Sequence, residues 1–217
     1  MASAPQLPLA DDLFLTAHDT VKGKCLLSPA TLGLGLSASL IAELMLWRRL
    51  DLMDGKLTVI DDRPTGDPAS TAVLDQLLRE GHHRAVRDWI SFLATGVAVD
   101  LTARRLARAG HVQRQERHSL LGGPKVFYVP IDSMTAGWPA TRVRTGIGRG
   151  ELLDVPDLVL AGLILATGLD QHVFVTLDAR GRAQLFDQFR RRLPAMLQEL
   201  VAHAEAAVGD AVMARRA

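Results

Sequence analysis

Between Ser28-Pro29 and Arg49 the chain is apolar in almost every direction around a helix, and this segment constrains the fold more than any other. Leu32, Leu36, Leu40, Leu44 and Trp47 trace one face at helical spacing, and Leu34, Ile41, Met45 and Leu46 cover much of the rest. Ser28 offers an N-cap and Pro29 suits the first helical position, so the pattern predicts a helix over Ala30–Arg49. A helix without a polar face must be enclosed by other elements. A membrane span is the competing reading. The stretch Leu26–Leu46 carries Pro29 near its start and Glu43 near its end. A second apolar stretch, Val155–Leu169, is interrupted by Pro156 and Asp157 and falls short of the roughly 20 residues a span needs. Both are expected to be buried core helices.

The remaining pattern supplies the enclosing elements. Helical spacing runs over Leu7–Ala17, Pro68–Arg79, Ala85–Ala94 and Asp100–Ala109, the last stopped by Gly110. Cys25–Leu27 reads as a short strand. Leu50–Ile60 reads as a hairpin turning at Asp54-Gly55, followed by the loop Asp61–Asp67. His111–Arg117 and Val126–Ile131 read as strands around Leu120–Pro124. Ser133–Arg149 is a weakly patterned helix, Pro156–Thr167 an apolar one, and Gln184–Met213 one long amphipathic stretch. There is no internal repeat, low-complexity tract or Gly/Ser-rich linker. The expected fold is mainly α: a single domain with a central apolar helix, surrounding amphipathic helices and short β-hairpins. Residues 1–6 read as a flexible N-terminus, 7–208 as the domain and 209–217 as a C-terminal tail.

Charge and composition exclude several function classes. Lys plus Arg is 25 and Asp plus Glu is 24, so there is no whole-protein basic field, and any anionic partner must be met by local clustering. The single cysteine, Cys25, excludes an intramolecular disulfide and a multi-cysteine metal site, which fits a reducing cytoplasm. Met1–Leu9 lacks the basic and apolar regions of a signal peptide. His82 and His83 are adjacent and cannot act as an i, i+4 ligand pair, and the other histidines are scattered. Gly146-Ile-Gly148-Arg-Gly150 follows a weak helix rather than a strand, so it does not read as a dinucleotide loop. Asp61, Asp62 and Asp67 serve turn and capping bonds more readily than magnesium, and Asp67 is expected to cap the helix from Pro68. No catalytic residue, cofactor or metal is assigned, and an enzyme is not expected.

The basic residues carry the functional reading. Arg104, Arg105 and Arg108 lie on one helix, Arg114 and Arg117 on the next strand, and Lys125 beyond a loop with Leu120 and Leu121 at its tip. A cationic rim around an apolar tip suits an anionic phospholipid surface. The same residues also suit a solvated helix beside a hairpin that contacts a second copy or another protein. A helix, a glycine and a hairpin resemble a winged helix as well, but near-neutral charge and few aromatics disfavour nucleic acid.

Several motifs resemble the Golgi phosphoprotein 3 family, including its actinobacterial members. These are Leu9-Ala-Asp-Asp-Leu13, Leu40-Ile-Ala-Glu-Leu-Met-Leu-Trp-Arg-Arg-Leu50, Pro64-Thr-Gly-Asp67 with Leu74-Asp75, Val86-Arg-Asp-Trp-Ile90, Leu106-Ala-Arg-Ala-Gly110, Pro130 and Leu163-Ile-Leu-Ala166. The resemblance spans about Leu7 to Val208. It implies a mainly helical domain with a projecting β-hairpin, peripheral attachment to membranes, and, in eukaryotic members, binding of phosphatidylinositol 4-phosphate. That family's lipid pocket uses a Trp and three Arg. By ungapped matching these positions are Ser28, Ser37, Gly96 and Val99, so none of the four is carried over. The resulting expectation is a cytoplasmic protein, peripheral on the inner membrane face.

Overall fold

The computed structural model describes residues 6–80, 84–119 and 122–215. Its central element is α2 (Pro29–Leu46), preceded by α1 (Leu9–Thr16). Ser28 caps α2 by accepting from the Thr31 N–H at 3.1 Å, with Pro29 at the first turn. Every residue from Thr31 to Met45 is buried. By length and composition α2 could cross a membrane, but 83% of it is buried inside the chain, as a core helix requires. Its two serines are satisfied internally: the Ser37 and Ser39 hydroxyls donate to the Gly33 and Gly35 carbonyls. Gly33 permits close approach, because a Cβ there would lie 2.6 Å from the Ala94 carbonyl oxygen.

Around α2 stand α3 (Pro68–Glu80), α4 (Val86–Leu93), α5 (Val97–Arg108), α7 (Val155–Ala166) and α10 (Ala195–Ala214). The sequence places Trp47 on the central helix. In the structure α2 ends at Leu46, Trp47 is the half-exposed C-cap, and Arg48 takes a positive φ to start the first hairpin. That hairpin pairs β1 (Leu50–Met53) with β2 (Lys56–Val59) around Asp54-Gly55, both with positive φ, as expected of this two-residue turn. Cys25 forms only an isolated bridge to His18 rather than a strand.

Asp67 caps α3, accepting from the Ser70 N–H at 2.7 Å. The helix α5 begins at Val97, three residues before the sequence pattern marks it. Its C-terminus closes with Gly110 at φ 74 and a bond from the His111 N–H to the Leu106 carbonyl, the six-to-one bond of a glycine-terminated helix. The chain then enters β3 (Val112–Ser119), which pairs antiparallel with β4 (Gly122–Pro130). Asp132 caps α6 (Ser133–Gly148).

The expected single stretch Gln184–Met213 is two helices, α9 (Ala179–Arg192) and α10. Leu193, preceding Pro194, is extended, because a proline ring disfavours helical geometry in the residue before it. A short α8 (Asp170–Val173) after Gly168 has no expected counterpart. Among the described residues the architecture is ten helices and two two-stranded sheets, a mainly α single domain. The helix α10 continues to Ala214, past the expected start of the tail.

Leu40 has no solvent exposure at the middle of α2. Leu40→Ala is expected to cost about 2–5 kcal/mol in urea denaturation, against little change for Leu78→Ala on the surface. A Leu40→Ala midpoint equal to the parent's would contradict the central placement of α2.

Candidate functional site

The basic helix, the second hairpin and the segment after it form one continuous run. Arg104 and Arg108 are exposed on α5. Arg104 pairs with Asp100 one turn earlier at 2.9 Å, and the Arg108 Nε donates to the Arg104 carbonyl. Arg114 is exposed on β3 and pairs with Glu116 on the same face at 2.6 Å. Leu120 and Leu121 lie outside the described residues, as do the side chains of Arg117 and Lys125. The strands extend nearer to that tip than the sequence suggests, with Arg117 opposite Lys125 and Ser119 opposite Gly122. At the hairpin base Val112 is buried, and Tyr128 meets the Phe14 ring edge-on at 6.0 Å. Farther along, Val126 (41% exposed), Ile131 (62%) and Met134 (82%) present apolar surface that the sequence reading did not single out.

Arg105 does not belong to this surface, which corrects its assignment to the cationic rim. Arg105 lies about 100° around the helix from Arg104, and its side chain turns from the exposed side into the core. Ala98, Thr102 and Arg105 instead share the buried face. The Arg105 Nε donates to Asp11 at 2.8 Å, its Nη2 to Glu43 at 2.8 Å, and its Nη1 to Glu43 and Asp67 at 2.9 Å each. Glu43 also accepts from the Ala10 N–H and the Ser70 hydroxyl, both at 2.8 Å. One guanidinium thus joins α1, α2, α5 and the cap of α3.

A second buried arginine stands on the other side of α1. Arg142 of α6 donates to Asp12 at 2.8 Å and, through Nε and Nη2, to Asp157 of α7 at 2.6–3.1 Å. Burial pushes the Asp11 carboxyl up to about 7 despite Arg105, and Asp12 up to about 6 despite Arg142. Burial also opposes ionisation of Asp67, but the Ser70 N–H and Arg105 outweigh it and lower its pKa. The signal for these clusters was present in the sequence: Glu43 interrupts an otherwise apolar helix, and Asp11 and Asp12 sit among Leu9, Leu13, Phe14 and Leu15. A charge so placed requires a buried partner.

Metal chemistry gains no support from the loop before α3. Asp61 is held by Arg49 and Arg63, and Asp67 by Ser70 and Arg105. Among the described residues no group of three His, Cys, Asp or Glu side chains is arranged to hold a metal. The positions Ser28, Ser37, Gly96 and Val99 do not form a cationic pocket. Ser28 caps α2, Ser37 is buried and Gly96 precedes α5. Val99 borders a mostly apolar cavity of about 240 Å³ with Phe14, Leu27, Leu32 and Tyr128.

A buried central helix, a ring of helices locked by internal arginines and a hairpin leaving a basic helix define a mainly helical domain with one emergent β-hairpin. The chain belongs to the Golgi phosphoprotein 3 (GPP34) family, whose model matches residues 9–214. No curated protein matches it.

Two outcomes follow from the buried clusters. Arg105→Met leaves three carboxylates without their cation and is expected to destabilise the fold by about 3–5 kcal/mol, the range for breaking a buried ion pair. A melting temperature unchanged from the parent's would refute the role given to Arg105. The second outcome is a pH dependence. Asp11 and Asp12 bind protons more tightly folded than unfolded, so their contribution is fully present below their unfolded pKa of 3.8 and is lost as pH rises through about 6 and 7. The urea midpoint should therefore rise as pH is lowered from 8 to 5, and Asp11→Asn should flatten that slope. A midpoint that falls over this interval would reverse the assignment.

Proposed function

We propose that this protein is a non-catalytic, peripheral membrane-binding protein that meets anionic phospholipid through the β3–β4 hairpin and the outer face of α5, on the cytoplasmic side of the inner membrane. Its family membership supports a Golgi phosphoprotein-like role. The observation that carries the finer reading is the succession, along one continuous segment of chain, of exposed Arg104 and Arg108 and the exposed apolar side chains of Val126, Ile131 and Met134. Leu120 and Leu121, between the strands, add apolar character by sequence.

The magnitudes suit reversible attachment. A leucine moved from water into an apolar phase is worth roughly 1.5–3 kcal/mol. A cation beside an anionic leaflet adds on the order of 1 kcal/mol. Arg104 and Arg114 have carboxylate neighbours, so their contribution is the smaller part. Nothing at Ser28, Ser37, Gly96 or Val99 would clamp an inositol phosphate, so surface charge rather than headgroup identity governs the attraction.

Vesicle sedimentation tests this reading. The protein should pellet with phosphatidylcholine vesicles containing phosphatidylglycerol and stay in solution with phosphatidylcholine alone. At matched surface charge, phosphatidylinositol 4-phosphate should give no added binding. High salt should release the protein, because the cationic part is screened. Leu120→Asp combined with Leu121→Asp should abolish binding and leave the melting curve in place. If that variant still pellets but changes oligomeric state, the hairpin is a contact between copies of the chain.

A further inference from the structure

We propose that the groove bounded by α7, α9 and α10 binds a small amphipathic cation, an amine or quaternary ammonium group carrying an apolar chain. The proposal is independent of the hairpin. The groove encloses about 370 Å³, within the range of small-molecule sites. Leu165 of α7, Phe186 and Phe189 of α9 and Val201 of α10 contribute its apolar lining. Asp170, at the start of α8, and Glu205 of α10 supply its charges, and no lysine, arginine or histidine lines it.

Identifiable features set the walls of this groove. Pro194 separates α9 from α10, and the Gln198 amide fixes the bend by donating to the Leu193 carbonyl at 2.7 Å. Gly162 brings α7 close to α10, since a Cβ there would lie only 3.1 Å from a Val201 methyl. The two phenyl rings meet edge-to-face with centroids 6.2 Å apart. Phe186 nonetheless remains 53% exposed. An aromatic pair left open to water can be covered by a ligand's apolar chain, and its ring faces attract a cation.

The charges decide the sign of the ligand. Glu205 is exposed and has neither an ion-pair nor a hydrogen-bond partner among the described residues. Among the described residues the Asp170 carboxylate has only a long 3.9 Å contact with Arg182. An anionic amphiphile would bring a like charge against both carboxylates, whereas a cation gives each a partner. A neutral amphiphile would use only the apolar lining.

The test is titration calorimetry on the full chain with three probes of equal chain length: decyltrimethylammonium, decyl maltoside and decyl sulfate, each below its micelle concentration. Decyltrimethylammonium should saturate a single site per chain, with decyl sulfate weaker by at least about tenfold. Asp170→Asn combined with Glu205→Gln should weaken the cationic probe by about tenfold and leave decyl maltoside unchanged. Phe186→Ser, at a side chain already half in water, should weaken both of those probes without lowering the melting temperature. Leu120→Asp with Leu121→Asp should bind decyltrimethylammonium like the parent, which separates this site from the hairpin. Equal binding of all three probes, or cationic binding unaffected by the carboxylate substitutions, would overturn the proposal. So would concentration-dependent self-association that Phe186→Ser abolishes, because the groove would then be a contact between copies.

Discussion

The Arg105 guanidinium donates to carboxylates that arrive 94, 62 and 38 residues away in sequence, from α1, from α2 and from the cap of α3. The geometry of these four elements depends on it. A buried arginine costs several kcal/mol to remove from water and is sustained only when its donors are met by carboxylates in good geometry. Three carboxylates against one guanidinium overcompensate it. Burial pushes the Asp11 carboxyl up to about 7 despite that cation, and Glu43 and Asp67 add smaller contributions in the same direction. This arrangement need not be the most stable filling of that space. An apolar contact tolerates sliding, whereas a guanidinium bonded to three carboxylates has few alternative positions.

The motifs that identify the family converge on this cluster. Asp11 comes from the first motif, Glu43 from the second and Asp67 from Pro64-Thr-Gly-Asp67, whereas Arg105 immediately precedes Leu106-Ala-Arg-Ala-Gly110. Asp12, beside Asp11, engages Arg142 and through it Asp157. Two adjacent aspartates on one short helix therefore tie α1 to both sides of the molecule.

Legibility in the sequence followed the range of the interaction. The apolar circumference of α2, the Asp67 cap, the Asp54-Gly55 turn and the Gly110 stop are local patterns, and each was readable because a few neighbouring residues decide it. Arg105 was misread because its local context, Arg104-Arg105 with Arg108, is that of a solvated basic face. Only partners distant in sequence make it interior. The break at Leu193-Pro194 was overlooked for a different reason: the amphipathic period continues across it, and only the proline reports that the backbone turns. Val126, Ile131 and Met134 could not be recognised as exposed from their types, since apolar residues in a hairpin are as consistent with a packed strand as with a bare one.

The inner and outer halves of α5 are coupled by helical geometry. With Arg105 fixed inside by Asp11, Glu43 and Asp67, the helix cannot rotate about its axis, so the directions of Arg104 and Arg108 are fixed as well. The same helix ends at Gly110, and the bond from His111 to Leu106 sets the direction in which β3 departs. The pairing of Val112 with Pro130 then carries that direction into β4. On the proposed reading, the surface that meets the lipid is therefore oriented from within. A peripheral protein with weak individual contacts gains from such rigidity, because each immobilised side chain lowers the entropy lost on binding. The buried ion cluster would then serve the membrane surface without touching it.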